Sequence, residues 1–65
     1  MKTRYKFLHF VNTGGLWHCR NNRSDDLLGT LVYSKQWKQY VLQPATFCEF
    51  SVDCLEDIVD FMKQL

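Results

Sequence analysis

Polar and apolar residues along this chain fall into five blocks. Residues 4–11, RYKFLHFV, and 16–21, LWHCRN, read as strands separated by NTGG, a turn whose glycines accept positive φ. In the second strand Trp17 and Cys19 share one face, and Leu16 and His18 the other. NRSDD is a loop of turn-forming residues. LLGTLVY, 27–33, is almost continuously apolar, as a strand with both faces occupied would be. Gly29 inside it implies a bulge or a close approach by another group. A turn at Ser34–Gln36 leads into a fourth strand that Pro44 ends. There Trp37 and Val41 fall on one side with Gln39 and Gln43, while Tyr40 and Leu42 fall on the other with Lys38. TFCEF, 46–50, fits an edge strand or a linker.

From Ser51 onward the period changes. Ser51 is a suitable N-cap, and Asp53 lies in the first turn, where negative charge favours the helix dipole. Val52, Leu55, Ile58, Val59, Met62 and Leu65 then recur at helical spacing. Asp53, Glu56, Asp57 and Asp60 fall opposite that stripe, with Phe61 toward its flank. The order predicts a single α+β domain over 1–65: a small antiparallel sheet of three to four strands, then one C-terminal amphipathic helix packed on one face (β-β-β-β-α). A helix of about 14 residues is only about 21 Å long. It covers one face of the sheet and leaves the other. Large side chains on the second face would form an apolar patch, and such a patch marks an interaction surface.

Composition sharpens this reading. A chain of 65 residues buries only about 60% of the surface its unfolded form exposes. Domains of this size need a staple, a partner or a rich core. Ten aromatic residues, among them Tyr5, Phe10, Trp17 and Phe61, can substitute for size. Three cysteines, Cys19, Cys48 and Cys54, are an odd number and argue against a closed disulfide framework. As buried thiols they need no other role. A zinc site would require them to converge with His18 or His9, without a C-x-x-C knuckle to start it. No cofactor loop appears. No apolar run reaches the roughly 18–20 residues of a membrane span. Lys6 and His9 interrupt what would be a signal peptide's apolar region. A cytoplasmic location is expected.

Charge is divided along the chain. Residues 1–40 hold seven of the eight Lys and Arg, and residues 41–65 hold five of the seven Asp and Glu. The acidic row Asp53, Glu56, Asp57, Asp60 reads either as a solvated helix face or as a phosphate-like strip for a basic groove. In the front half, Arg20, Arg23, Lys35 and Lys38 with the aromatics Tyr33, Trp37 and Tyr40 suit a nucleic-acid platform. The isoelectric point near 7.7 sits below the strongly basic values usual for that function. No nucleophile is placed beside a base, and no carboxylate orients His9 or His18, so an enzyme is not expected.

The chain also resembles a group of small proteins encoded by phages and bacterial prophages. The resemblance covers roughly residues 17–65. It rests on Leu28–Gly29 before an apolar strand, Tyr33, WKQY at 37–40, Pro44, Phe50–Ser51, CLEDI at 54–58, and Phe61 with Leu65; Trp17–His18–Cys19 is a weaker element. It implies an accessory product of a mobile element and brings no catalytic or binding residue with it. Together these features point to a non-enzymatic binding module that forms a homodimer or binds a host protein, including as an inhibitor of a host defence or nucleic-acid enzyme. The expected contact residues are Tyr33, Trp37, Tyr40 and Val41 with the 27–32 strand on the sheet, and Asp53, Glu56, Asp57 and Asp60 on the helix. The alternative is a small nucleic-acid-binding protein using Arg20, Arg23, Lys35 and Lys38.

Overall fold

The computed structural model describes all 65 residues. Four strands, β1 (Leu8–Thr13), β2 (Leu16–Asn21), β3 (Leu27–Ser34) and β4 (Gln39–Pro44), form an antiparallel meander in that spatial order, and α1 (Val52–Met62) follows. This is the small α+β fold that the periodicity predicts. Gly14 and Gly15, at φ 61 and 87, make the two-residue turn between the paired Thr13 and Leu16. Both central residues of such a hairpin need positive φ, which explains the glycine pair. Gly29 combines both roles expected of it. One extra residue, Leu28, bulges where Cys19 pairs with Gly29 and Arg20 with Leu27. A Cβ on Gly29 would stand 2.8 Å from Leu42 Cδ1 and 3.0 Å from the Gln43 carbonyl.

Two boundaries differ from the sequence reading, and one open choice is decided. β1 starts at Leu8, because the chain bends at Lys6–Phe7. Residues before the bend fold back along β1: Arg4 bridges to His9, and the Phe10 N–H donates to the Thr3 carbonyl at 2.8 Å. Trp37 and Lys38 belong to a turn over 35–38, with Lys38 at φ 58, so β4 begins only at Gln39. Residues 46–50 contain a turn and no strand, so they are a linker.

The core is aromatic and lies between the helix and one sheet face. Phe61 is fully buried, stacked on Phe10 at 3.9 Å and edge-on to Trp17 at 5.1 Å. Tyr5 closes the stack edge-on to Phe10 at 5.9 Å, and Leu8, Cys19, Leu31 and Ile58 fill the remainder. Burying one such side chain is worth about 1.5–3 kcal/mol. These contacts set the helix's rotation, and the rotation differs from the expected one. Phe61 and Ile58 are buried, Cys54 and Met62 pack against the core, and Val52, Leu55 and Val59 point outward. Phe61 takes the place the spacing assigns to Val59, because a ring fills the gap above Phe10 that a valine leaves open. Ser51 caps the helix as its sequence position implies, accepting from the Cys54 N–H at 3.2 Å.

Candidate protein-interaction surface

The strand register assigns every side chain on β4 to a face. Tyr33 pairs with Tyr40 and Leu31 with Leu42 on the helix side; Val32 pairs with Val41, and Thr30 with Gln43, on the open side. The open face therefore carries His9, Val11, Leu16, His18, Arg20, Leu27, Thr30, Val32, Gln39, Val41 and Gln43. It is a mixed face of aliphatic and polar groups, with Val11, Leu16 and Leu27 exposed. The aromatic members of the expected patch are elsewhere: Tyr33 and Tyr40 lie on the helix side, and Trp37 lies in the turn. Among Tyr33, Trp37, Tyr40 and Val41 only Val41 occupies the open face; of the 27–32 strand, Leu27, Thr30 and Val32 lie there and Leu31 is core.

A second apolar surplus lies on the helix. The core occupies only part of the helix's apolar arc, and Val52, Leu55 and Val59 form an exposed row along the flank. That row runs into a groove of about 510 Å³ between α1 and the ends of β3 and β4. Tyr33, Tyr40, Val59, Met62 and Leu65 line it, with Lys38 and Lys63 also bordering it. The two tyrosine rings meet edge-on at 5.5 Å. Tyr33 and Tyr40 are thus brought together as expected, but with helix residues that the periodicity places in the core. One signal in the sequence points to this. Cys54 and Phe61 widen the apolar arc beyond what a single sheet face can cover.

The acidic row divides its work. Asp60 Oδ2 accepts from the Tyr5 hydroxyl at 2.8 Å, pinning the N-terminal segment to the helix. Burial, then this hydrogen bond, then the charges of Asp60 and Asp57 push the Tyr5 phenol up to about 12. Lys2 joins the same clamp through paired bonds with the Gln64 side chain at 2.9 and 2.7 Å. Asp53, Glu56 and Asp57 border a shallow depression with Lys6 and Phe7.

The four cations do not form one patch. Arg20 and Arg23 flank the β2–β3 loop, and Lys35 and Lys38 flank the β3–β4 turn at the opposite end of the sheet. The eight residues of β3 separate the two pairs by roughly 25 Å. His9 and His18 share the open face but have separate partners. His9 Nδ1 sits 2.7 Å from Asn22 Oδ1, with its Nε2 3.5 Å from Asp25, whereas His18 Nδ1 sits 3.3 Å from the Thr30 hydroxyl. All three cysteines are free, and no group of three or more metal-binding side chains is gathered. Burial, with Cys54 and Cys48 adding to it, pushes the Cys19 thiol up to about 12. No helix is long and apolar enough to cross a membrane. Comparison with family models, with curated proteins and with solved structures returns no match.

Proposed function

We propose that this chain is a non-enzymatic protein-binding module, an accessory product of a phage or prophage, that works by stoichiometric contact with a second copy or with a host protein. Inhibition of a host defence or nucleic-acid enzyme is a use that such a module would serve. One observation carries the reading: after the aromatic core is filled, the flank Val52, Leu55, Val59 remains in water and continues into the Tyr33–Tyr40 groove. Contiguous apolar surface of this kind is costly to keep exposed unless something covers it. The separation of the basic pairs weighs against a nucleic-acid platform.

The test compares the wild-type chain with Leu55→Asp/Val59→Asp. Both positions point outward, so the double variant should keep the far-ultraviolet dichroism of the fold. Loss of association, measured as solution mass or as retention of a binding partner, supports the reading. Association that persists unchanged in the double variant removes the helix flank as the contact and leaves the sheet to carry it. Retardation of DNA or RNA at about 0.15 M salt that falls steeply as salt rises would put nucleic-acid binding in its place.

A further inference from the structure

The two edges of the sheet are treated differently. On β1 the folded-back N-terminal segment covers part of the outward edge: the Phe10 N–H donates to Thr3, and the Tyr5 N–H donates to the Leu8 carbonyl at 2.8 Å. Nothing lies along β4. Its sequence, QYVLQP, holds no charge and no bulge, and its proline stands only at the end. Natural edge strands ordinarily carry such protection.

The free groups on β4 can be assigned. The Ala45 N–H donates to the Leu28 carbonyl immediately beyond Pro44. Bonded and non-bonded positions alternate along an antiparallel ladder. Gln39, Val41 and Gln43 therefore bond to β3, and the N–H and C=O groups of Tyr40 and Leu42 face outward. We propose that β4 pairs antiparallel with β4 of a second copy, about a two-fold axis at Val41, making one continuous eight-stranded sheet. This rests on the protein-binding reading and names its partner.

Self-complementarity selects both the partner and the register. About Val41, Tyr40 of each copy opposes Leu42 of the other, and all four N–H groups find carbonyls. Centring on Leu42 would set Tyr40 against Pro44, which has no N–H, and leave the Tyr40 carbonyl unpaired. Centring on Tyr40 would set Leu42 against Lys38, whose N–H already donates to the Ser34 carbonyl at 2.7 Å. In the Val41 register Tyr40 meets Leu42 on the helix side, Val41 meets Val41, and Gln39 meets Gln43. No charge opposes a like charge.

The ends of the strand agree. Trp37 and Phe47 are 67% and 100% exposed, and Phe47 is held at φ 63. They lie at opposite ends of β4, so the antiparallel pair brings the Trp37 turn of one copy beside the Phe47 linker of the other. A stable dimer takes roughly 800 Å² from each copy, about a sixth of the 4834 Å² this chain exposes. These two rings hold on the order of 300 Å² of it, and the β4 edge supplies apolar side chains between them.

The test is a charge exchange at the axis. Val41 lies on the open face, half-buried opposite Val32, so Val41→Lys and Val41→Glu should each fold. The wild-type chain should sediment as a dimer, each variant alone as a monomer, and the mixture as a dimer again. Val41→Cys, in a Cys48→Ser background, should close a symmetric disulfide across the axis, because facing non-bonded residues sit about 4.5 Å apart. Dimeric Val41→Lys, a mixture that stays monomeric, or a wild-type dimer whose Val41→Cys form fails to cross-link would each overturn the pairing. A wild-type monomer would overturn it too, while the helix-flank variants still decide the broader protein-binding reading.

Discussion

Replacing Phe61 by alanine removes the ring that holds α1 to the sheet. In the folded chain that ring is fully buried, parallel to Phe10 within 3° and edge-on to Trp17. Phe→Ala in a core costs about 3–5 kcal/mol. A domain of 65 residues holds roughly 3–10 kcal/mol in total at the usual stability per residue. The substitution therefore consumes much or all of the stability. Phe61→Leu keeps most of the volume and loses the stack, so its cost should fall to about 1–2 kcal/mol. Val59→Ala provides the contrast. Val59 points to solvent, and surface substitutions move stability by no more than about 0.5 kcal/mol; alanine's better helix propensity offsets part of any loss. Urea denaturation followed by far-ultraviolet dichroism measures all three without relying on Trp17, which touches the altered site. A large loss for Val59→Ala with a small one for Phe61→Leu and Phe61→Ala would refute the reasoning, because the helix would then sit in the rotation its apolar spacing favours.

Two further consequences concern the sheet and the clamp. Gly29→Ala should cost about 1–3 kcal/mol, since the new Cβ meets the Gln43 carbonyl as well as the Leu42 side chain; an unchanged urea midpoint would mean that β3 and β4 separate more easily than their register implies. Tyr5 keeps its proton up to about pH 12 when folded but only to 10.0 when unfolded. The folded state then binds more protons than the unfolded one, so stability is unaffected by Tyr5 below pH 10 and falls as pH rises toward 12. Cys19, raised from 9.0 to about 12, adds to the same alkaline loss, starting about one unit lower. In a base titration Tyr5→Phe should show a shallower decline with the Cys19 part intact, and an unaltered decline would contradict the Tyr5–Asp60 clamp.

The elements themselves can be read from the chain: the glycine turn, the Ser51 cap, the polar loop at 22–26 and the proline that closes β4 all act locally. What cannot be read depends on distant partners. RYKFLHFV alternates without interruption, so nothing in it marks the bend at Lys6–Phe7; that bend exists because Tyr5 reaches Phe10 and Asp60. Trp37 alternates correctly with Gln39 and Val41, yet Lys38 in the left-handed region ends the pattern before β4 begins. The helix offers apolar residues over more of its circumference than the sheet covers. Spacing alone gives Val59 and Phe61 similar claims to the core, and the ring of Phe10 decides between them. The candidate surface follows from that decision. Its tyrosines are visible as a pair in the sequence, but spacing assigns their helical neighbours Val52, Leu55 and Val59 to the interior.

The most direct measurement is amide exchange at single residues on β1 and β4 as the chain is diluted. If β4 pairs with itself, the Tyr40 and Leu42 amides exchange slowly in concentrated solution and speed up on dilution. Phe10, whose N–H stays with Thr3, holds its rate throughout. Fast exchange at Tyr40 and Leu42 at every concentration would contradict the account.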